Sequence, residues 1–170
     1  MSTLSVFTLL AFLVPSPGVT VEDNLQVLDG YAGEWNVELT IHALDDSGSD
    51  KQYTGSVSAQ WVVNNQFMDQ TGRYQIGDSG IVIKTLMTFD ESRGEFHYWY
   101  FMETGETRES TGRWDETTQI MTSTMTATDN DDVVTITADF SKPGVESWMI
   151  ETKNSDGRLS GRISGTNTRK

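Results

Sequence analysis

The residues able to do chemistry are few in this chain, and their types narrow what it can do. The 170 residues include no cysteine and only two histidines, His42 and His97. Thiol catalysis, disulfides, Fe–S clusters and cysteine-ligated zinc are thereby excluded, and a multi-histidine metal centre lacks its ligands. Asp129-Asn130-Asp131 resembles the start of a calcium loop but lacks that pattern's glycine and distal glutamate, so it and Asp45-Asp46 read as solvated acidic turns. No cofactor and no metal are expected. His97 sits in the most aromatic stretch, Phe96-His97-Tyr98-Trp99-Tyr100-Phe101. No serine or carboxylate stands at a spacing that would make it a base for a nucleophile. An enzymatic reading would need His97 to join Glu109 or Asp69 in space.

That stretch is apolar on both faces of a strand, and a half-solvated strand is not. One face must line a core or cavity. Phe96, Tyr98 and Tyr100 form one set, and His97, Trp99 and Phe101 the other. The register leaves open which set faces inward and whether it packs a core or lines a cavity; the second set is carried as the ligand-lining candidate. Arg108 lies six residues before Trp114, so the two share a strand face. An inward Arg108 would hold a carboxylate or other anion; an outward one would pair with Glu106 or Glu109. Trp114 and Trp148 complete the candidate binding set.

The elements that must position these residues are strands. Thr occurs 22 times, Phe, Trp and Tyr together 17 times, and Ala only 6 times. That balance suits pleated, half-buried surfaces rather than helices. Trp35, Val37, Leu39 and Ile41 alternate with Asn36, Glu38, Thr40 and His42, a period of two. Comparable runs follow through Arg169, separated by Gly, Asp and Asn turns roughly every 10 to 15 residues. The expected fold is all-β, an antiparallel up-and-down meander of about ten strands, and closure into a barrel would remove its exposed edges. A short helix within Val21–Tyr31, with Leu25, Leu28 and Tyr31 on one face, would plug one end. Closure would pair the first strand with the last, with Glu34 and Glu38 facing Arg162 or Arg169. One domain spans residues 22–170.

The charge excludes some partners. The formal net charge is −13 and the pI about 4.3. No basic patch exists to neutralise phosphates, so nucleic acid and anionic membrane surfaces are not expected partners.

Leu4 to Val14 is an apolar run too short to span a bilayer as a helix, and Ser16-Pro17-Gly18 places small residues at a cleavage site. Residues 1–18 therefore read as a signal peptide, with a periplasmic or extracellular mature chain and no stable membrane insertion. The first basic residue is Lys51, so a second reading stays open, a folded N-terminal element in a cytoplasmic protein.

The motifs also carry a resemblance. Gly33-Glu34-Trp35, opening the first strand, resembles the Gly-x-Trp start of lipocalin-like, or calycin, barrels. Trp61 with Phe67, Met87-Thr88-Phe89-Asp90 and Gly112-Arg113-Trp114-Asp115 follow in the order of a bacterial single-domain lipocalin-like family of unknown function. The resemblance covers most of residues 28–170. It implies that Trp35 closes the barrel floor and that Arg169, from the last strand, packs across it, a structural pair. It transfers no catalytic residue. Nitrobindin, in the same superfamily, holds haem through a histidine near its C-terminus, and no histidine follows His97 here.

The expected function is non-enzymatic binding of a small, largely apolar ligand in the barrel. The alternatives are an enzyme of this fold acting on a small aromatic or lipid-like substrate, and a protein-interaction module. An enclosed apolar cavity favours the first, an inward cluster of ionisable groups the second, and a filled barrel the third. Protein from the native host is expected to begin near Val19. N-terminal sequencing tests this, and an intact Met1 would contradict it.

Overall fold

The structure is a computed structural model that describes residues 21–45, 48–126 and 131–170. The expected signal peptide lies outside the described residues, and the acidic turns at 45–46 and 129–132 lie partly outside them. The N-terminal segment forms α1 (Val21–Gln26), continued by a 3-10 turn (Val27–Gly30). Ten strands follow: β1 (Gly33–Ile41), β2 (Lys51–Val62), β3 (Phe67–Ile76), β4 (Ser79–Asp90), β5 (Glu95–Met102), β6 (Thr107–Asp115), β7 (Ile120–Thr126), β8 (Val133–Lys142), β9 (Val145–Lys153) and β10 (Leu159–Arg169). Every strand pairs antiparallel with its neighbours in sequence, and β1 pairs with β10 to close the barrel.

The β1–β10 seam runs from Trp35 opposite Arg169 to Ile41 opposite Ile163. Trp35, Val37 and Leu39 are buried, so odd-numbered residues of β1 face inward. Their partners at 163, 165, 167 and 169 share that inner face. This register corrects the expected charge pairing. Arg169 shares the inner face with Trp35, whereas Glu34 and Glu38 point out, so neither can meet it across the seam. Glu38 is opposite Thr166. Arg162 pairs instead with Glu151 of β9, Nη2 to Oε1 at 2.6 Å. Glu34 Oε2 lies 3.9 Å from Lys170 Nζ. An exposed contact of that length contributes little.

The floor of the barrel is packed solid. The Arg169 guanidinium lies 4.5 Å from the Trp35 ring centroid. Its Nη1 donates to the Ala32 carbonyl at 2.7 Å. Trp35 Nε1 donates to the Tyr31 carbonyl at 2.9 Å, and Trp61 Nε1 donates to Asp29 Oδ1 at 2.6 Å. These bonds tie the 3-10 turn across the barrel end, and the first two satisfy backbone carbonyls just past it. Leu28, fully buried, and Leu25 plug the centre. The Tyr31 and Phe140 rings meet edge to face at 4.8 Å.

The ring of Trp35 is 2 % exposed and carries both the cation and the turn. Truncation would leave a cavity under Arg169 and free the turn. Trp35→Ala is expected to destabilise the fold by about 3–5 kcal/mol. Urea unfolding followed by far-UV circular dichroism measures it, and an unchanged midpoint would refute the role.

Candidate functional site

Above the floor the barrel is open inside, with a cavity of about 370 Å³. Its walls follow from the strand period of two. On β5 the inward residues are Phe96, Tyr98, Tyr100 and Met102; Phe96 and Tyr98 are 2 % and 4 % exposed, and Phe101 is 44 % exposed. The phase is set by the neighbours: Tyr98 lies between Met87 of β4 and Ser110 of β6, both buried. The expectation that His97, Trp99 and Phe101 line the cavity is therefore corrected. All three stand on the outer wall, because the facing strands present their apolar residues to the other set.

The outer set forms its own cluster. Trp99 contacts Phe67 and His97, with centroids 6.4 and 5.8 Å apart. His97 Nε2 is 3.3 Å from Glu95 Oε1 and 3.9 Å from Asp90 Oδ2. His97 and Glu109 border one shallow outer groove, and Asp69 is held by Lys84 at 3.0 Å. The group considered for catalysis thus lies outside the barrel. Trp114 packs against Phe140 at 6.2 Å, in the core beneath the cavity and away from its lining. Arg108 and Trp148 do line the cavity. Arg108 Nε donates to Glu106 Oε1 at 2.7 Å, so Arg108 borders the cavity with its guanidinium paired as the outward reading expected.

Trp148 lies flat because its partner across β9–β10 is Gly165. A Cβ at Gly165 would overlap the indole. Gly72 makes similar room for Tyr74, whose hydroxyl would be 2.6 Å from a Cβ there.

The residues that sequence reasoning missed are the polar ones. Tyr31, Tyr74, Tyr98 and Tyr100 all reach the cavity, with Glu146 and Asn167. The Tyr98 and Tyr100 rings stack at 6.3 Å and 11°. Trp148 Nε1 donates to Asn167 Oδ1 at 2.9 Å, and Asn167 Nδ2 donates to Glu146 Oε2 at 2.6 Å. Tyr100 and Ser110 hydroxyls are 3.2 Å apart. The Tyr98 hydroxyl is buried beside that of Tyr31 and makes no hydrogen bond of good geometry. A signal for Glu146 existed: it is in phase with Trp148, Ile150 and Thr152, all cavity-lining.

Burial sets the electrostatics. It pushes the Glu146 carboxyl up to about 7, against the opposing Asn167 bond. It also raises Tyr31, Tyr98 and Tyr100, and lifts Tyr74 to about 12 with help from the Glu146 charge. The hydroxyls stay neutral at any physiological pH. Among the described residues no three His, Asp or Glu side chains are grouped to hold a metal ion, and no helix is long and apolar enough to cross a membrane.

Comparison with known proteins bears on the fold. No protein-family model matches the sequence, and no curated protein matches it at a significant level. The crystal structure of Rv2717c from M. tuberculosis is similar, with a TM-score of 0.62 and 13 % identity over 86 % of this chain and 96 % of that one. EF1p2_mFAP2b, solved bound to DFHBI, superposes with a TM-score of 0.46 and 15 % identity over 86 % of this chain and 98 % of that one. A DUF3598-family protein of unknown function from Nostoc punctiforme gives 0.49 and 10 % identity over 84 % of this chain and 48 % of its own length. At 13 % identity the likeness to Rv2717c is one of fold.

The raised carboxyl makes stability depend on pH. The folded state keeps the Glu146 proton to about 7, while the unfolded chain releases it near 4.5. The folded form is thus favoured below pH 4.5, and that advantage is lost as pH rises to about 7. Glu146→Gln is expected to remove a fall of about 3 kcal/mol over that window. Thermal melts of both proteins from pH 4.5 to 8 test it, and parallel pH profiles would contradict it.

Proposed function

We propose that the protein binds a small, largely apolar molecule inside the barrel. The observation that carries this is the unfilled cavity of about 370 Å³ above a solidly packed floor. A chain that needed only a stable barrel would fill that space, because each void forfeits packing energy. The volume is within the range of small-molecule sites, and the wall has the usual composition of such sites: aromatic and aliphatic surface with a few convergent polar groups. Trp148, Tyr98 and Tyr100 supply flat apolar faces, and Ile83, Ile136 and Ile150 supply aliphatic ones. Arg108, tied to Glu106, and the Trp148–Asn167–Glu146 chain would orient what enters.

The lipocalin-like assignment belongs to the same reading. Its support is the Gly-x-Trp start, the Trp35–Arg169 pair and the ten-strand closed meander. Export is inferred with it, supported by the apolar segment Leu4–Val14 and the small residues at 16–18. The excess of acidic groups argues against nucleic acid as a partner.

The test uses N-phenyl-1-naphthylamine, an apolar dye that brightens when it leaves water. Its fluorescence is expected to rise and saturate at one dye per chain. Ile136→Trp, which fills the cavity wall, should weaken binding at least about tenfold, the effect of blocking one wall contact and its volume. Non-saturating fluorescence, or equal binding by the thermally stable variant, would overturn the reading.

A further inference from the structure

We infer that the molecule held in the barrel is a compact aromatic amine, bound as its ammonium ion with the charged end on Glu146 and the ring among the tyrosines above the floor. This rests on the cavity reading and adds the ligand's chemical class.

The argument starts from where Glu146 stands. It is the second residue of β9, opposite Asn167 of β10, two residues from Arg169 and therefore at the floor end of the cavity. It is 5 % exposed, yet it is part of the cavity wall. Oε2 accepts the bond from Asn167. Among the described residues none donates a hydrogen bond to Oε1, and Glu146 is part of the cavity lining. A buried carboxylate without a cation is costly, and proteins seldom keep one unless something answers it.

No cation among the described residues does. Arg108 is at the opposite end, since it pairs with Tyr100 near the mouth and is held by Glu106. Arg169 is spent below the floor on the Trp35 ring and the Ala32 and Gly30 carbonyls. What shares the cavity wall with Glu146 is electron-rich: Tyr31, Tyr74 and Tyr98. An ammonium ion answers all of these together. It pairs with Oε1, donates to the unpartnered Tyr98 hydroxyl, and faces aromatic rings that attract cations. An organic carboxylate would meet Glu146 instead, and the one arginine in the wall is already taken. The net charge of −13 draws cations to the mouth and repels anions.

Binding couples to a proton. In the empty barrel burial holds the Glu146 carboxyl up to about 7. The ammonium arrives already protonated, so it binds the carboxylate, and the carboxyl proton leaves to solvent. Tyr31, Tyr74 and Tyr98 are held protonated well above this range. The other strands facing the site contribute Val57, Met87, Met121, Ala138 and Asn167, none of which titrates. Amine affinity therefore falls about tenfold per pH unit below 7 and is level above it.

Three probes on one ring system test this by isothermal titration calorimetry of the full chain: 1-naphthylmethylamine, 1-naphthalenemethanol and 1-naphthoate. At pH 7.5 the amine is expected to bind at least about 30-fold more tightly than the alcohol, and the naphthoate more weakly than both. Lowering the pH to 5.5 should weaken amine binding about 25-fold and leave the alcohol unchanged. Glu146→Gln should remove the amine's advantage and its pH dependence while still binding the alcohol, which also reports that the variant is folded. Equal binding of amine and alcohol, tightest binding of naphthoate, or an unaffected amine in Glu146→Gln would overturn the inference and leave the cavity reading standing. Failure of all three probes to bind would overturn both.

Discussion

Closure of the sheet by β1 against β10 is the constraint that the rest of the structure depends on. A meander of nine hairpin-linked pairings leaves two edges, and only the seam from Trp35–Arg169 to Ile41–Ile163 removes them. The seam decides more than edge satisfaction. Its register puts Trp35 and Arg169 on the same inner face, directly opposite each other. There the guanidinium covers the indole and reaches the carbonyls of the turn that plugs the barrel. A shift of one residue would send Arg169 outward and uncover the floor. The charged residues on the outer face of the seam have a minor part, since Glu34 and Lys170 are 3.9 Å apart in solvent. Backbone pairing and the buried ring fix the register.

From that floor upward the interior changes character. Below, Leu28, Phe140, Trp114 and Phe96 fill the barrel. Above, the inner face carries tyrosines, Trp148 and a carboxyl, and space remains between them. Side chains of that size leave a gap only if they are held back against the wall, and glycines do that. Gly165 lets Trp148 lie flat on β10, and Gly72 does the same for Tyr74. The cavity is thus a product of large and absent side chains set opposite each other, a pattern that needs the strands in register to exist.

Much of the fold was legible in the sequence, and the reasons are local. Alternation in Trp35–His42 and the Gly, Asn and Asp turns sufficed to place ten strands, because period two and turn chemistry are short-range signals. The helix face of Leu25, Leu28 and Tyr31 was legible for the same reason; all three are buried. The inward face of β5 was not. Both of its faces are aromatic, so the periodicity carries no sign, and the choice was made by Met87 and Ser110 on the neighbouring strands. Glu146 was hidden differently. Single acidic residues in strands normally face water, and only its phase with Trp148 and Ile150 set it apart. The acidic partners expected for Arg169 failed because charge was read without the face that each residue occupies.

The pairing of the first strand with the last also sets an order of assembly. The nine sequential pairings can form between neighbours as hairpins, each over a short stretch of chain. The tenth joins segments about 130 residues apart in sequence, so no short hairpin supplies it. Until this pairing forms, β1 and β10 are open edges, Arg169 has no indole to cover, and Glu146 sits in a wet trough rather than a cavity. During synthesis β10 is the last of the ten strands to emerge, so the cavity comes into being in a single late step together with the loss of the last exposed edge.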